Sequence, residues 1–376
     1  MVRVPPLDLV AQARTLGPSL REAVERVLAD QQCILGPHVE RFEAAMAAYC
    51  RVTHAIGVGS GTDALLLVLA SLGVGPGTLV VTTAFTFFAT GSTIVRLGAR
   101  PLFADIDPQT FNLSPVSVAA AIAAAPERVV GIVPVHLYGR LAPLDAIGAV
   151  AERHGLWVVE DAAQAVGARR AGRMAGTFAR AGCLSFYPTK NLGALGDGGM
   201  VLTDDEAIAT FVRRDRHQGQ VDRYRHESLG LCSRLDAVQA VVLEAKLPHL
   251  DAWNARRRAI AAAYDERLRA AGVAGVPDAP IVLPGAAGED HVVHQYVVRA
   301  RRRDGLLAHL RDAGVGAQVY YPVPLHLQPP IAPRCVTPVP LDETERAARE
   351  VLALPVYPEL TPAQIDAVVA AVRSFY

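Results

Sequence analysis

Over the first two-thirds of the chain, apolar runs of strand length alternate with stretches of helical periodicity, and few architectures accommodate that order. Residues 55–58, 129–135, 157–159 and 184–186 have the length and apolar content of buried strands. Residues 64–72, 143–154 and 205–214 have the spacing of helices. Strands separated by helices pair in parallel, so the pattern predicts a largely parallel sheet covered by helices. An amphipathic helix at 39–49 leads into this region, and the alanine-rich stretch 119–125 reads as a helix with a small-residue face. A long helical pattern at 235–271 follows, with Pro248 placed to kink or break it. Beyond it, 277–288 is rich in Pro, Gly and Ala and reads as a linker. A strand at 295–299, a helix at 304–313 and a strand at 317–320 then make a smaller α/β unit. The expected division is 1–246 and 247–376, with the N-terminal segment free to pack on the smaller domain. At 376 residues and 51% hydrophobic, the chain can fill one large core and a smaller one.

Composition narrows the classes of function. The 37 basic and 37 acidic residues balance, and no basic tract is long enough to follow a nucleic-acid backbone. The short runs Arg256–Arg258 and Arg301–Arg303 read as solvated faces. Gly and Pro interrupt every apolar run before it reaches membrane-spanning length, and the N-terminus lacks the apolar core of a signal peptide. Five scattered cysteines, with no Cys-x-x-Cys pair, support neither a disulfide framework nor a zinc site. The expectation is a soluble, cytoplasmic protein without a metal, nucleic-acid or membrane partner. All the basic residues are arginine except Lys190 and Lys246. Either residue supplies surface charge, but only a lysine amine can form an imine.

Three segments carry the candidate chemistry. Gly57-Val58-Gly59-Ser60-Gly61-Thr62-Asp63-Ala64 runs from a strand through a Gly-rich turn into a helix. Its free backbone N–H groups and the positive helix end suit a phosphate, with the Thr62 hydroxyl beside them. A plain helix cap with a tight turn would have the same sequence. Trp157-Val158-Val159-Glu160-Asp161 places Asp161 at the carboxyl edge of the sheet, where α/β proteins bind ligands. There it could hold a ring nitrogen protonated, or simply cap a following helix. Strand alternation points Glu160 the other way. In Ser185-Phe186-Tyr187-Pro188-Thr189-Lys190 a short strand breaks at Pro188, and Lys190 follows in a loop that becomes Gly-rich. A loop amine can condense with an aldehyde or stand in solvent. Ser185 could give its hydroxyl to a phosphate. Together the three segments supply partners for the phosphate, ring nitrogen and aldehyde of one cofactor.

At these residues the chain resembles the DegT/StrS sugar aminotransferases, within the fold-type I enzymes that use pyridoxal 5'-phosphate (PLP). The likeness runs through Ile34-Leu35-Gly36-Pro37, Gly61-Thr62-Asp63-Ala64-Leu65, Ala84-Phe85-Thr86-Phe87 and Asp105-Ile106-Asp107-Pro108. It continues in Pro134-Val135-His136-Leu137-Tyr138-Gly139, Glu160-Asp161-Ala162-Ala163-Gln164-Ala165 and the Ser185–Gly193 string. It ends with Gly196-Asp197-Gly198-Gly199, Ser233-Arg234-Leu235-Asp236 and Tyr321-Pro322-Val323-Pro324-Leu325-His326. The resemblance implies a seven-stranded, mostly parallel sheet flanked by helices, with a smaller C-terminal α/β domain. It implies that Lys190 forms the Schiff base and shuttles the proton, that Asp161 pairs with the ring nitrogen, and that Gln164 lies against the ring. It places Gly61, Thr62 and Ser185 on the phosphate and Phe85 on the ring face, although a core aromatic would also explain Phe85. It further implies a homodimer with shared active sites.

Two positions depart from the family pattern. Cys232 stands where the family has an Asn that contacts the phosphate, and a thiol is a weak donor. Arg234, two residues on, matches and could receive a donor carboxylate. Tyr320 replaces a His, and the substrate contacts expected of Tyr321 and His326 follow from the resemblance alone. The implied reaction moves an amino group from an amino acid, with glutamate expected, to a nucleotide-linked keto-sugar, with a 3-keto-6-deoxy hexose expected. Other PLP chemistry on sugars or cyclitols, and a regulatory or binding role, stand as alternatives. Family dehydratases carry His in place of the Schiff-base lysine, so Lys190 favours amino transfer.

Overall fold

The computed structural model describes residues 3–376. Its principal sheet has seven strands: β1 (His54–Val58), β2 (Thr78–Thr83), β3 (Arg100–Ala104), β4 (Arg128–Ile132), β5 (Trp157–Asp161), β6 (Ala181–Ser185) and β7 (Gly199–Thr203). Their order is β1-β7-β6-β5-β4-β2-β3. Pairing is parallel from β6 through β3, and β7 runs antiparallel to both its neighbours. The connections explain this. Helices lie between β1, β2, β3, β4 and β5, and a crossover returns each strand in the same direction. The β6–β7 connection turns back along its own edge without crossing the sheet, β7 returns antiparallel, and Lys190 sits on that return. Both faces are covered, as continuous apolar strands require. One packs under the helices Gly61–Ser71 and Glu206–Asp215, the other against Phe42, Phe186 and Leu243.

The pattern at 235–271 resolves into two helices, Ala237–Lys246 and Leu250–Ala270. Between them lies a single tight turn, Leu247–His249, containing Pro248, whose ring has no N–H to continue the ladder. The smaller sheet consists of β8 (Ile281–Val282), β9 (Tyr296–Ala300) and β10 (Val351–Leu354), all antiparallel. Its core takes in Ile260, Tyr264 and Leu268 of the long helix and also Val4.

Several expectations need correction. The stretch 277–288 is more than a linker, because Ile281 and Val282 pair with Ala300 and Arg299. The strand expected at 317–320 is a single bridge between Gln318 and Ala353. On one side of it Gly316 is pressed against Pro6 and occupied in bonding to Val4, and on the other Pro322 lacks an N–H. Nor are the arginine runs simply solvated. Arg257 is 3% exposed and Arg303 is 9% exposed, and Arg303 donates to the Ala348 and Val351 carbonyls. Among the described residues, no helix is long and apolar enough to cross a membrane.

The sheet and the start of the Gly61–Ser71 helix approach closely at Gly199. A Cβ there would lie 2.3 Å from the Ser60 carbonyl carbon and 2.6 Å from the Gly61 nitrogen. Those are backbone atoms and cannot rotate away. Gly199→Ala should therefore cost about 1–3 kcal/mol, the scale of an overpacked core. Urea unfolding checks it, and an unchanged midpoint would contradict so tight an approach.

Candidate active site

The carboxyl ends of β5 and β6 and the start of the Gly61–Ser71 helix meet at one edge of the large sheet, at a cavity of about 670 Å³. Gly61, Thr62, Asp161, Gln164, Ser185, Lys190 and Tyr321 all line it. Residues from positions 61 to 321 are thus brought to one place, chiefly by the parallel topology.

Asp161 and Glu160 part company at the strand end. Glu160 is fully buried and accepts from the N–H groups of Gly176 (2.7 Å), Phe178 (2.6 Å) and Ala179 (2.8 Å). It also pairs with His136 Nε2 at 2.8 Å. His136 Nδ1 accepts from the Ala142 N–H, so Nε2 carries the proton that is donated to Glu160. Asp161, on the opposite face, accepts among the described residues only from the Thr90 hydroxyl (2.8 Å) and, at 3.2 Å, the Ala163 N–H. Residues 162–167 form turns and no helix, which removes helix capping as the reason for Asp161. Burial pushes its carboxyl above the usual range, while Thr90, Ala163 and Lys190 pull it back. The Thr90 hydroxyl, itself bonded to Thr86, is a contact that the sequence did not signal.

Lys190 reaches the cavity from the β6–β7 return. Burial draws its amine down to about 8, against the opposing pull of Asp161. Lys246, the other lysine, is 4% exposed and donates to the Gly193 carbonyl at 2.6 Å, bracing the same loop from beneath. Asn191, next to Lys190, bonds to Asn254, to the Val292 carbonyl and to His294. The loop is therefore held just after its functional residue, at Asn191 and at Gly193.

At the helix start, Ser60 caps the Asp63 N–H. Among the described residues no acceptor meets the N–H groups of Gly61 and Thr62. A Cβ on Gly61 would come within 2.7 Å of the Ser185 Cβ, so only glycine lets this hydroxyl stand beside the helix end. Gln164 accepts from the Tyr138 N–H (2.6 Å) and donates to the Tyr321 hydroxyl (3.1 Å).

The structure departs from three of the expected contacts. Phe85 is fully buried, its ring 6.1 Å from Phe111 and 6.5 Å from Tyr138, and it does not line the cavity. After β2 the chain bends, the Phe85 N–H bonds to Thr83 Oγ1, and the ring turns into the core. Of the two phenylalanines it is Phe87, at the head of the next helix, that lines the cavity, 6.2 Å from the Tyr321 ring. Arg234 and His326 do not line the cavity of their own chain. Arg234 bonds to His217 Nδ1 (2.7 Å) and to the sulfur of exposed Cys232 (2.9 Å). His326 pairs with Glu345 at 3.3 Å.

The cavity fits a phosphorylated pyridine aldehyde. It combines unused helix N–H groups beside a hydroxyl, a buried carboxylate with no cation bonded to it, and an amine of lowered basicity.

Comparison with known proteins agrees. Residues 15–373 match the DegT/DnrJ/EryC1/StrS aminotransferase family. A protein of Geobacillus stearothermophilus described as a pleiotropic regulatory protein is 47% identical, over 100% of this chain and 99% of its own length. The dTDP-3-amino-3,4,6-trideoxy-alpha-D-glucose transaminase of Streptomyces venezuelae is 44% identical, over 99% of this chain and 96% of that protein. The crystal structure of S. venezuelae DesV in complex with a ketimine intermediate superimposes with a TM-score of 0.93 at 44% identity, covering 100% of this chain and 98% of that one.

The lowered basicity of Lys190 has a kinetic signature. The neutral amine is the nucleophile, and its fraction grows as pH rises through about 8. Uptake of PLP by the apo chain, followed by visible absorbance, should accelerate with pH and level off above that value. An ordinary lysine would keep accelerating to roughly 10.4, and that outcome would contradict the assignment.

Proposed function

The chain belongs to the DegT/DnrJ/EryC1/StrS aminotransferase family, and we propose that it moves an amino group from glutamate to a nucleotide-linked keto-sugar, a 3-keto-6-deoxy hexose being the class we favour. It is a PLP-dependent aminotransferase. The observation that carries the reading is the presence of Lys190 and Asp161 in one cavity at the carboxyl edge of the sheet. The names of the S. venezuelae relative and of its solved counterpart support an amino-sugar substrate.

PLP, when bound, supplies an aldehyde and an electron-withdrawing ring. The chain's own groups do the rest. The N–H groups of Gly61 and Thr62, with the Thr62 and Ser185 hydroxyls, would hold the phosphate and fix orientation. Asp161 would keep the ring nitrogen protonated, its charge left available because only Thr90 and one N–H compete for it. Gln164 would lie at the ring edge, tied to Tyr321 and the backbone of Tyr138, and Phe87 would cover one ring face. Lys190, its amine made less basic by burial, would take the proton from the donor's α-carbon and deliver it across the cavity.

We also infer a homodimer. Exposed Ile34 and Leu195 flank the helix Ala237–Lys246, and Arg234 and His326 do not line their own cavity, which suits groups that serve a neighbouring copy. The five free cysteines support a reducing, cytoplasmic setting. The name of the relative from G. stearothermophilus gives a regulatory role some footing. The retention of Lys190, Asp161 and Ser185 in a single cavity supports turnover instead.

The test is an absorbance spectrum of purified protein before and after glutamate, for wild type and Lys190→Ala. Wild type should show a visible cofactor band that glutamate bleaches, and a panel of nucleotide-linked keto-sugars should restore it. Lys190→Ala should show neither the native band nor turnover. A wild type that binds PLP but answers no amino acid and no keto-sugar would return the fold to a binding role.

A further inference from the structure

The proton and phosphate chemistry leaves the one arginine of the cavity wall unused. Arg257 lies on the long helix Leu250–Ala270, on the side of the cavity formed by the smaller sheet, and is 3% exposed. Its Nη1 donates to three carbonyls, those of Val356 (2.9 Å), His294 (3.3 Å) and Val293 (3.5 Å). Its Nε is buried without an acceptor, and no hydrogen bond among the described residues involves Nη2. Among the described residues no carboxylate bonds to it. Glu359, the acid whose charge reaches it, makes no hydrogen bond to it. Across the same region the Gln295 Oε1 is also buried and unpartnered.

A buried guanidinium is strongly disfavoured unless an anion faces it, and three carbonyls crowded onto one nitrogen do not neutralise its charge. Burial alone draws its acidity constant down to about 10, with Glu359 acting weakly in the other direction. Besides Lys190, whose amine is committed to chemistry, Arg257 is the one lysine or arginine in the cavity wall among the described residues of a single chain. The amino donor brings carboxylates into this cavity. A guanidinium with a free edge binds a carboxylate through two parallel N–H bonds, and Nε with Nη2 is such an edge.

We propose that Arg257 anchors a carboxylate of the amino-acid donor through Nε and Nη2. This rests on the aminotransferase reading above and adds to it the side from which the donor enters. The donor would lie between Arg257 and Lys190, with Pro6 and Leu7 of the N-terminal segment forming part of the wall. A keto-sugar carries no carboxylate at its reacting end, so the second half of the reaction should be indifferent to this group.

The experiment separates the two halves. Wild type, Arg257→Gln and Arg257→Lys are loaded with PLP and mixed with glutamate in a stopped-flow spectrometer. The same proteins reconstituted with pyridoxamine phosphate are mixed with a dTDP-linked 3-keto-6-deoxy hexose. Binding of glutarate, which has the carboxylates but no amine, is measured by calorimetry on each PLP-loaded protein. Arg257→Gln should lower kcat/KM for glutamate by about 100-fold, mostly through KM, as expected for one partner lost from a buried charged pair. It should abolish glutarate binding and leave both the cofactor band and the sugar half-reaction unchanged, while Arg257→Lys recovers part of the loss. Wild-type rates and glutarate affinity in Arg257→Gln would overturn the proposal. So would equal losses in both halves with a weakened cofactor band, since that marks a purely structural arginine. A wild type whose band no amino acid alters overturns the aminotransferase reading itself, and the proposal with it.

Discussion

Two adjacent carboxylates at the end of β5 meet opposite fates, and the site depends on the difference. Glu160 takes three backbone N–H groups and the proton of His136. A buried carboxylate so completely satisfied is a rigid joint, because removing any one partner leaves charge or dipole unpaired at a cost of about 1–3 kcal/mol or more. It ties the segment around Gly176–Ala179 and the turn after Val135 to the strand. Because strand residues alternate, fixing Glu160 inward fixes Asp161 outward, towards the cavity. Asp161 is left with two hydrogen bonds and an environment that resists its charge. The fold thus stores an acceptor in want of a cation at the place where a protonated ring would sit.

The order of strands and helices made the parallel sheet readable, since a helical crossover dictates strand direction wherever it occurs. Asp161, Ser185 and Lys190 were readable for a related reason, being carried on the sheet's edge by strand ends or by the short loop that leaves one. Legibility failed where the backbone departs from regular geometry. Phe85 and Phe87 are two apart and would share a face on a strand, but the bend after Thr83 sends one into the core and the other to the cavity. Local sequence carries no sign of that bend. Thr90 was invisible for a different reason, because its bond to Asp161 joins a helix to a strand far along the chain.

Arg257 is an instructive case, because its signal was present. Within Arg256–Arg258 a run of charge suggests solvent, yet Trp253, Asn254, Arg257, Ile260 and Tyr264 follow helical spacing and are all buried. Periodicity places the middle arginine on the inner face and its neighbours outside or at the margin. Charge described the segment's average, and the helix decided each residue separately. The roles of Arg234 and His326 lie beyond either kind of reading, since nothing in their own chain's cavity defines what they face.

Both lysines are inside the protein, one lining the cavity and one braced beneath its loop, and every other basic side chain is arginine. The positive charges of the exterior are therefore guanidinium groups, without side-chain amines. Guanidinium groups stay protonated and do not condense with aldehydes under ordinary conditions. Free PLP is a promiscuous electrophile that decorates accessible lysines wherever it finds them. On this chain it meets an outer surface with no competing lysine, and the lysine side chain it can reach is the one that lines the cavity.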